Sequence, residues 1–176
     1  MVRSDAVRSR ARILDAARGC EGAELRLNEV AHRAGVGVGT VYRHFPTVDA
    51  LAAALAEGAL ERLRELAREA EADPDPGAAL ARLVRGALAL QVDDPGLQTA
   101  LMADPSDIPE LAALRAEVGE VGERVFARAQ AAGVVRAELT LGSLQRLICG
   151  LEHAVRLGDA DDRELYLDML LAGIRP

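Results

Sequence analysis

Apolar positions recur along this chain at the three-to-four-residue spacing of helices, and almost nowhere with the alternation of strands. Val7, Ile13, Leu14 and Ala17 form a first stripe that runs out near Gly19 and predicts a helix over about 6–19. Leu27, Val30 and Ala31 predict a second helix over about 27–34, stopped by Gly35. The stretch from Val38 to Phe45 predicts a short third one, stopped by Pro46. Thr47 can cap a long fourth helix over about 48–72, which carries Leu51, Leu55, Leu60, Leu63 and Leu66. Asp73-Pro74-Asp75-Pro76-Gly77 breaks the chain there. Further helices are predicted near 77–93, 96–103, 108–132, 140–157 and 161–174, separated by Pro95, Pro105, Pro109 and Gly133, with Thr140 and Asp161 as caps for the last two. The expected fold is all-α: a three-helix N-terminal head and a C-terminal helical bundle, about nine helices without an internal repeat.

Composition supports that pattern. Half of the 176 residues are hydrophobic, enough to build a core, and Ala, Leu, Arg and Glu are strong helix formers. All 21 basic residues are Arg. The two cysteines, Cys20 and Cys149, lie in separate segments without ligand spacing, which argues against a metal site and against a disulfide framework. Cys149 and His153 lie four apart on an apolar helix, a spacing that core packing explains better than zinc. The Arg-rich N-terminus has no apolar signal region, and no apolar run reaches membrane-spanning length, so a soluble cytoplasmic protein is expected.

The net charge of −7 changes meaning once it is divided. Residues 1–46 hold eight Arg against five acids, giving +3; the remainder holds 13 Arg against 23 acids, giving −10. A basic head on an acidic body presents one face to phosphate and repels it with the rest.

The head also carries the decisive motif. Two short helices joined at a glycine turn are what a helix-turn-helix requires. Ala31 allows close crossing, Gly35 suits a left-handed helix end, and Val36 plugs the turn. Val41 and Phe45, four apart, share the inward face. Val38, Gly39, Thr40, Tyr42, Arg43 and His44 are left on the other faces. Hydroxyls from Thr40 and Tyr42 suit phosphate oxygens, Arg43 suits phosphate or the guanine edge, and His44 can donate to phosphate. Two of only four aromatics (Tyr42, Phe45, Phe126 and Tyr166) fall in this short helix.

The string Ala34-Gly35-Val36-x-x-Gly39-Thr40-Val41-Tyr42-Arg43-His44-Phe45-Pro46 follows Arg12-Ile13-Leu14-Asp15-Ala16-Ala17 and precedes a leucine-rich helix. It resembles the DNA-binding head of tetracycline-repressor (TetR) family regulators over roughly residues 8–58; the rest agrees in helical layout. The resemblance implies a DNA-binding domain over 1–46 and a ligand-binding and dimerisation domain over 47–176. It implies that the third helix reads DNA through Thr40, Tyr42 and His44 with Arg43 beside them, and that the fourth links head to body. The chain departs from the family pattern at Arg26, where Ser or Thr usually caps, at Val48, where a Lys is common, and at Val38, often Lys or polar. Val38 makes base readout apolar, against a thymine methyl.

The expected function is that of a ligand-responsive repressor that releases a palindromic double-stranded DNA operator on binding a small apolar or amphipathic effector. The alternative is a helical small-molecule-binding or adaptor protein with weakened DNA binding. Arg85, Gln91, Met102, Phe126 and His153 are the effector-pocket candidates. Leu141, Leu144, Ile148, Leu151 and Val155, with Leu167, Leu170, Leu171 and Ile174, are the candidates for a homodimer interface, which the family layout forms as a four-helix bundle. Glu110, Glu117, Glu120 and Glu123 with Arg115, Arg124 and Arg128 read as a solvated face laced by i,i+4 pairs. Nothing predicts a catalytic site, a cofactor or a membrane partner.

Overall fold

The computed structural model describes residues 2–18, 20, 26–94, 97, 98, 101, 109–159 and 162–176. Among them run eight helices and no strand: α1 (Val2–Arg18), α2 (Leu27–Ala34), α3 (Val38–His44), α4 (Val48–Ala72), α5 (Pro76–Asp93), α6 (Pro109–Ala131), α7 (Leu141–Leu157) and α8 (Asp162–Gly173). The helix expected at 96–103 falls largely outside the described residues, as do the cap at Asp161 and the pocket candidate Met102.

Local chemistry sets most boundaries. Thr47 accepts from the Ala50 amide at 3.0 Å and opens α4. Asp75 accepts from Gly77 and Ala78 ahead of α5, with Pro76 in the first turn. Thr140 accepts from Ser143 at 3.1 Å and opens α7. Arg26 stands at the cap of α2 without a capping hydrogen bond. The carboxyl end of α4 is closed from outside the helix. Arg128 donates to the carbonyls of Glu71 (2.9 Å) and Asp73 (2.7 Å), neutralising acceptors that the helix leaves unpaired.

Three cores follow. Ile13, Leu14, Leu27, Val30, Val41 and Phe45 form the head core, joined by Leu51 and Leu55 from the start of α4. Ala56, Leu60, Leu63 and Ala67 of the same helix enter a second core with α5 and α6. The third lies between α5, α6, α7 and α8, around Leu88, Phe126, Leu144 and Leu167. The change of core therefore happens inside α4, between Leu55 and Ala56.

The charged face of α6 differs from expectation. Several of its charges pair across helices: Glu117 with Arg68 and, at 3.6 Å, with Arg64; Arg124 with Glu71; Arg128 with the α4 carbonyls; Arg124 is also attracted by Glu120 on its own helix. The hydrogen bond from Arg124 holds the Glu71 carboxyl below its usual range. The reason is proximity, because α4 and α6 are the most extensively packed pair in the body and bring their polar edges together.

Candidate nucleic-acid interface and effector cavity

The turn between α2 and α3 is built on Gly35, at φ 60° and ψ 39°. The Val36 amide donates to Ala31 and the Gly35 amide to His32, both at 3.1 Å, the paired closure of a glycine-ended helix. Arg12 of α1 donates to the Gly35 carbonyl at 3.2 Å, tying the turn to the first helix. From there α3 emerges with Val41 fully buried and Phe45 beneath the Arg10 guanidinium, 5.5 Å from the ring centroid. Those two anchors fix the rotation of α3. Val38 (45% exposed), Gly39, Tyr42 (48%) and Arg43 face outward, while Thr40 and His44 are half-buried at the edges. Arg43 makes no ion pair with any described residue, so its charge is available to an external anion. Tyr42 borders a shallow depression with Arg26, Asn28 and Val48, which extends this face across the starts of α2 and α4. Sequence reasoning left Arg26 and Asn28 out, although Arg26 at the open end of α2 was already visible as a non-capping cation.

A second concavity lies in the body. A cavity of about 420 Å³ is enclosed by α4 (Leu63, Ala67), α5, α6 and α7, within the size range of small-molecule sites, roughly 300–1,000 Å³. Leu80, Leu83 and Val84 of α5 make its apolar side. On α6 the facing residues are small: Ala112, Ala116, Gly119 and Gly122 recur at helical spacing, and a Cβ built on Gly119 would meet nothing within 4 Å. The open volume lies over these small residues, with Arg115 and Val118 also on the α6 side of the wall. Gln91, Arg115 and Gln145 are the polar side chains on its wall.

A family model for the bacterial regulatory proteins of the tetR family matches residues 13–55. A second, for the C-terminal domain of SbtR-like transcriptional regulators, matches residues 75–176, more than half of the chain. The chain belongs to the TetR family. The TetR transcription regulatory protein from Mycobacterium vanbaalenii is 34% identical over 100% of both chains, with a TM-score of 0.64. The TetR regulator SCO0520 from Streptomyces coelicolor is 27% identical, covering 95% of this chain and 98% of its own, at 0.66. LfrR from Mycobacterium smegmatis, solved in complex with proflavine, is 24% identical over 96% and 94% of the two chains, at 0.68, a likeness of fold. A search of curated proteins finds no match. The chain is thus a DNA-binding transcriptional regulator with a helix-turn-helix head. Among the described residues, no helix is long and apolar enough to cross a membrane, and no cluster of His, Cys, Asp or Glu could hold a metal ion.

The structure distributes the pocket candidates of this TetR regulator unevenly. Gln91 lines the cavity, fully buried, and its Oε1 accepts from the Cys149 thiol at 3.5 Å. Burial pushes the Cys149 thiol above its usual pKa. Arg85 instead bridges α5 and α8, donating to Glu164 and Asp168 at 2.6 Å each. Phe126 is consumed by the third core, and His153 is exposed on α7; neither borders the cavity. Arg115 and Gln145 were missed. The signal for Arg115 was the stripe of small residues on α6, hidden inside what reads as a solvated charged face; Gln145 lies on α7, outside that stripe.

The interface candidates also divide. Leu144, Ile148, Leu167 and Ile174 are buried within one protomer, because α7 and α8 must first close the third core, and Val155 is buried as well. Leu141, Leu151, Leu170 and Leu171 are half-buried at its edge. The outward apolar side chains of these helices are Leu147, Leu157, Leu165 and Met169.

Head and body also meet at a charged junction. Asp94, the C-cap of α5, is buried with its side chain 3% exposed. Arg62 of α4 donates to it at 3.0 Å, and Arg18 of α1 lies 3.9 Å away. One carboxylate thus joins the last turn of a head helix to the end of a cavity-lining helix, one turn beyond Gln91.

Proposed function

We propose that this TetR regulator is a dimeric repressor that holds a palindromic operator through the outward face of α3 and releases it when an apolar or amphipathic molecule enters the body cavity. One observation carries the proposal: α4 is a single helix whose Leu51 and Leu55 belong to the head core and whose Leu63 and Ala67 line the cavity. A ligand that prefers a different α4 tilt changes the separation of two recognition helices, which must match one DNA turn of about 34–36 Å. The test is a gel shift on the DNA flanking its own gene, with compounds chosen by thermal shift. At least one apolar compound should both stabilise the protein and release the DNA; if a polyanionic metabolite alone does so, the cavity assignment fails.

Within that reading, Val38, Gly39, Thr40, Tyr42, Arg43 and His44 form the DNA face. Arg43→Ala should weaken operator binding and flatten log K against log salt by roughly one ion. Unchanged affinity and slope would show that Arg43 points away from the duplex. A second reading, a small-molecule-binding protein with weakened DNA affinity, draws on Val48. It is 40% exposed beside Tyr42 and brings no charge to this face. Failure of the wild-type protein to shift any flanking DNA would favour that reading.

For the dimer, the outward Leu147, Leu157, Leu165 and Met169 supply an apolar surface that favours a two-fold mate over water. Light scattering at micromolar concentration should give a dimer for the wild type and a monomer for Leu147→Glu combined with Met169→Glu. A wild-type monomer would end the proposal.

A further inference from the structure

The amino end of α3 carries a single side chain. Residues 37–39 read Gly-Val-Gly, so Val38 alone projects beyond the backbone there. It is 45% exposed and belongs to none of the three cores. Val41 and Phe45 turn inward, which leaves Val38 and Tyr42, four apart, on the outward side of the helix. Gly39 answers to no need of the fold. It lies inside α3, where glycine weakens a helix, its φ is not positive, and a Cβ built on it would meet nothing within 4 Å. A Cβ on Gly37 would meet only Thr40 Oγ1, at 3.8 Å. The space that the two glycines leave lies outside the protein, so an external surface can come up to the backbone on both sides of Val38.

In a helix-turn-helix the amino-terminal residues of the second helix meet base edges in the major groove. Those edges present hydrogen-bond donors and acceptors, with one apolar group among the four bases, the C5-methyl of thymine. The isopropyl group of Val38 forms no hydrogen bond. Against guanine, adenine or cytosine it would strip water from polar atoms and give nothing in return. Against thymine it replaces water with a methyl contact. Gly37 and Gly39 bring no polar side chain that could add a hydrogen bond to the same edge.

We propose that Val38 is a specificity-determining residue that reads a thymine C5-methyl in each operator half-site, so that one base is chosen by apolar contact and not by hydrogen bonding. This rests on the outward face of α3 being the DNA face, as proposed above. The test starts with duplexes that the full-length protein selects from a randomised pool. Each thymine of the selected sequence is then replaced by deoxyuridine, which removes the C5-methyl and nothing else, and affinities are compared by fluorescence anisotropy. At one thymine per half-site the wild type should lose about fourfold, the worth of one buried methyl group. In Val38→Ala the thymine and uracil duplexes should differ there by less than roughly 1.5-fold, with the response at every other thymine unchanged. Val38→Ile, which keeps the apolar contact, should keep the preference. Alanine is the stronger helix former and Val38 lies outside the head core, so the variant should fold, which circular dichroism checks. If no thymine responds in the wild type, or if the response survives in Val38→Ala, the methyl assignment is overturned while the selected sequence keeps the DNA face. If no sequence is enriched from the pool, both fall. The wild-type scan can overturn the assignment without any variant, and loss of the preference in Val38→Ile would also overturn it.

Discussion

Replacing Phe45 with alanine should lower the unfolding free energy of the head by about 3–5 kcal/mol and remove operator binding. The ring is 3% exposed and belongs to a core shared by all three head helices and the start of α4. The lost burial adds to the cavity left behind, and the cation–π contact with Arg10 is lost as well. Because α3 has only seven residues, it cannot persist on intrinsic helical propensity. Val41 and Phe45 are what hold it against the head, and they orient Tyr42 and Arg43 outward. The body cores contain no head residue before α4, so dimerisation should survive. Denaturant unfolding followed by circular dichroism, with a gel shift at the same temperature, measures both effects. Operator affinity within threefold of wild type would show that α3 keeps its place without the ring.

Asp94→Ala should cost about 2 kcal/mol and loosen the coupling between the cavity and DNA. A carboxylate at the C-terminal end of α5 opposes that helix's dipole, so its place depends on Arg62 and Arg18. Both arginines remain roughly a third exposed and can hydrate once it is gone, which keeps the loss below that of a fully buried pair. Coupling should change more than stability, since the carboxylate is the charged tie between α1 and the end of α5. An effector that lowers operator affinity in the wild type should do so about fivefold less in the variant. The double-mutant cycle with Arg18→Ala isolates the head-to-body contact from the α4 contact. Additive effects of the two substitutions would show that Arg18 and Asp94 act independently.

The sequence by itself determined most of the helix boundaries among the described residues and marked the helix-turn-helix. Gly35 ends α2, Thr47 opens α4, and Thr140 opens α7, because each acts on amides and carbonyls within a few residues. The outward position of Tyr42 and Arg43 followed from the four-residue spacing of Val41, inside the short helix, and Phe45, at its C-cap. Tertiary structure alone decided how those helices rotate against one another. Arg85 has the polarity of a pocket residue, yet its partners Glu164 and Asp168 lie 79 and 83 positions away, and they draw it to the outside of α5. Arg124 hydrogen-bonds Glu71 across 53 positions, while Glu120 on its own helix supplies only a weaker attraction. Leu144 and Leu147 carry the same side chain in one apolar stripe, but the first closes the protomer's core and the second faces out. Such outcomes depend on interhelical distance and on the volume that glycine and alanine leave open on α6. Local periodicity records which face of a helix is apolar, but it does not record which neighbour that face meets.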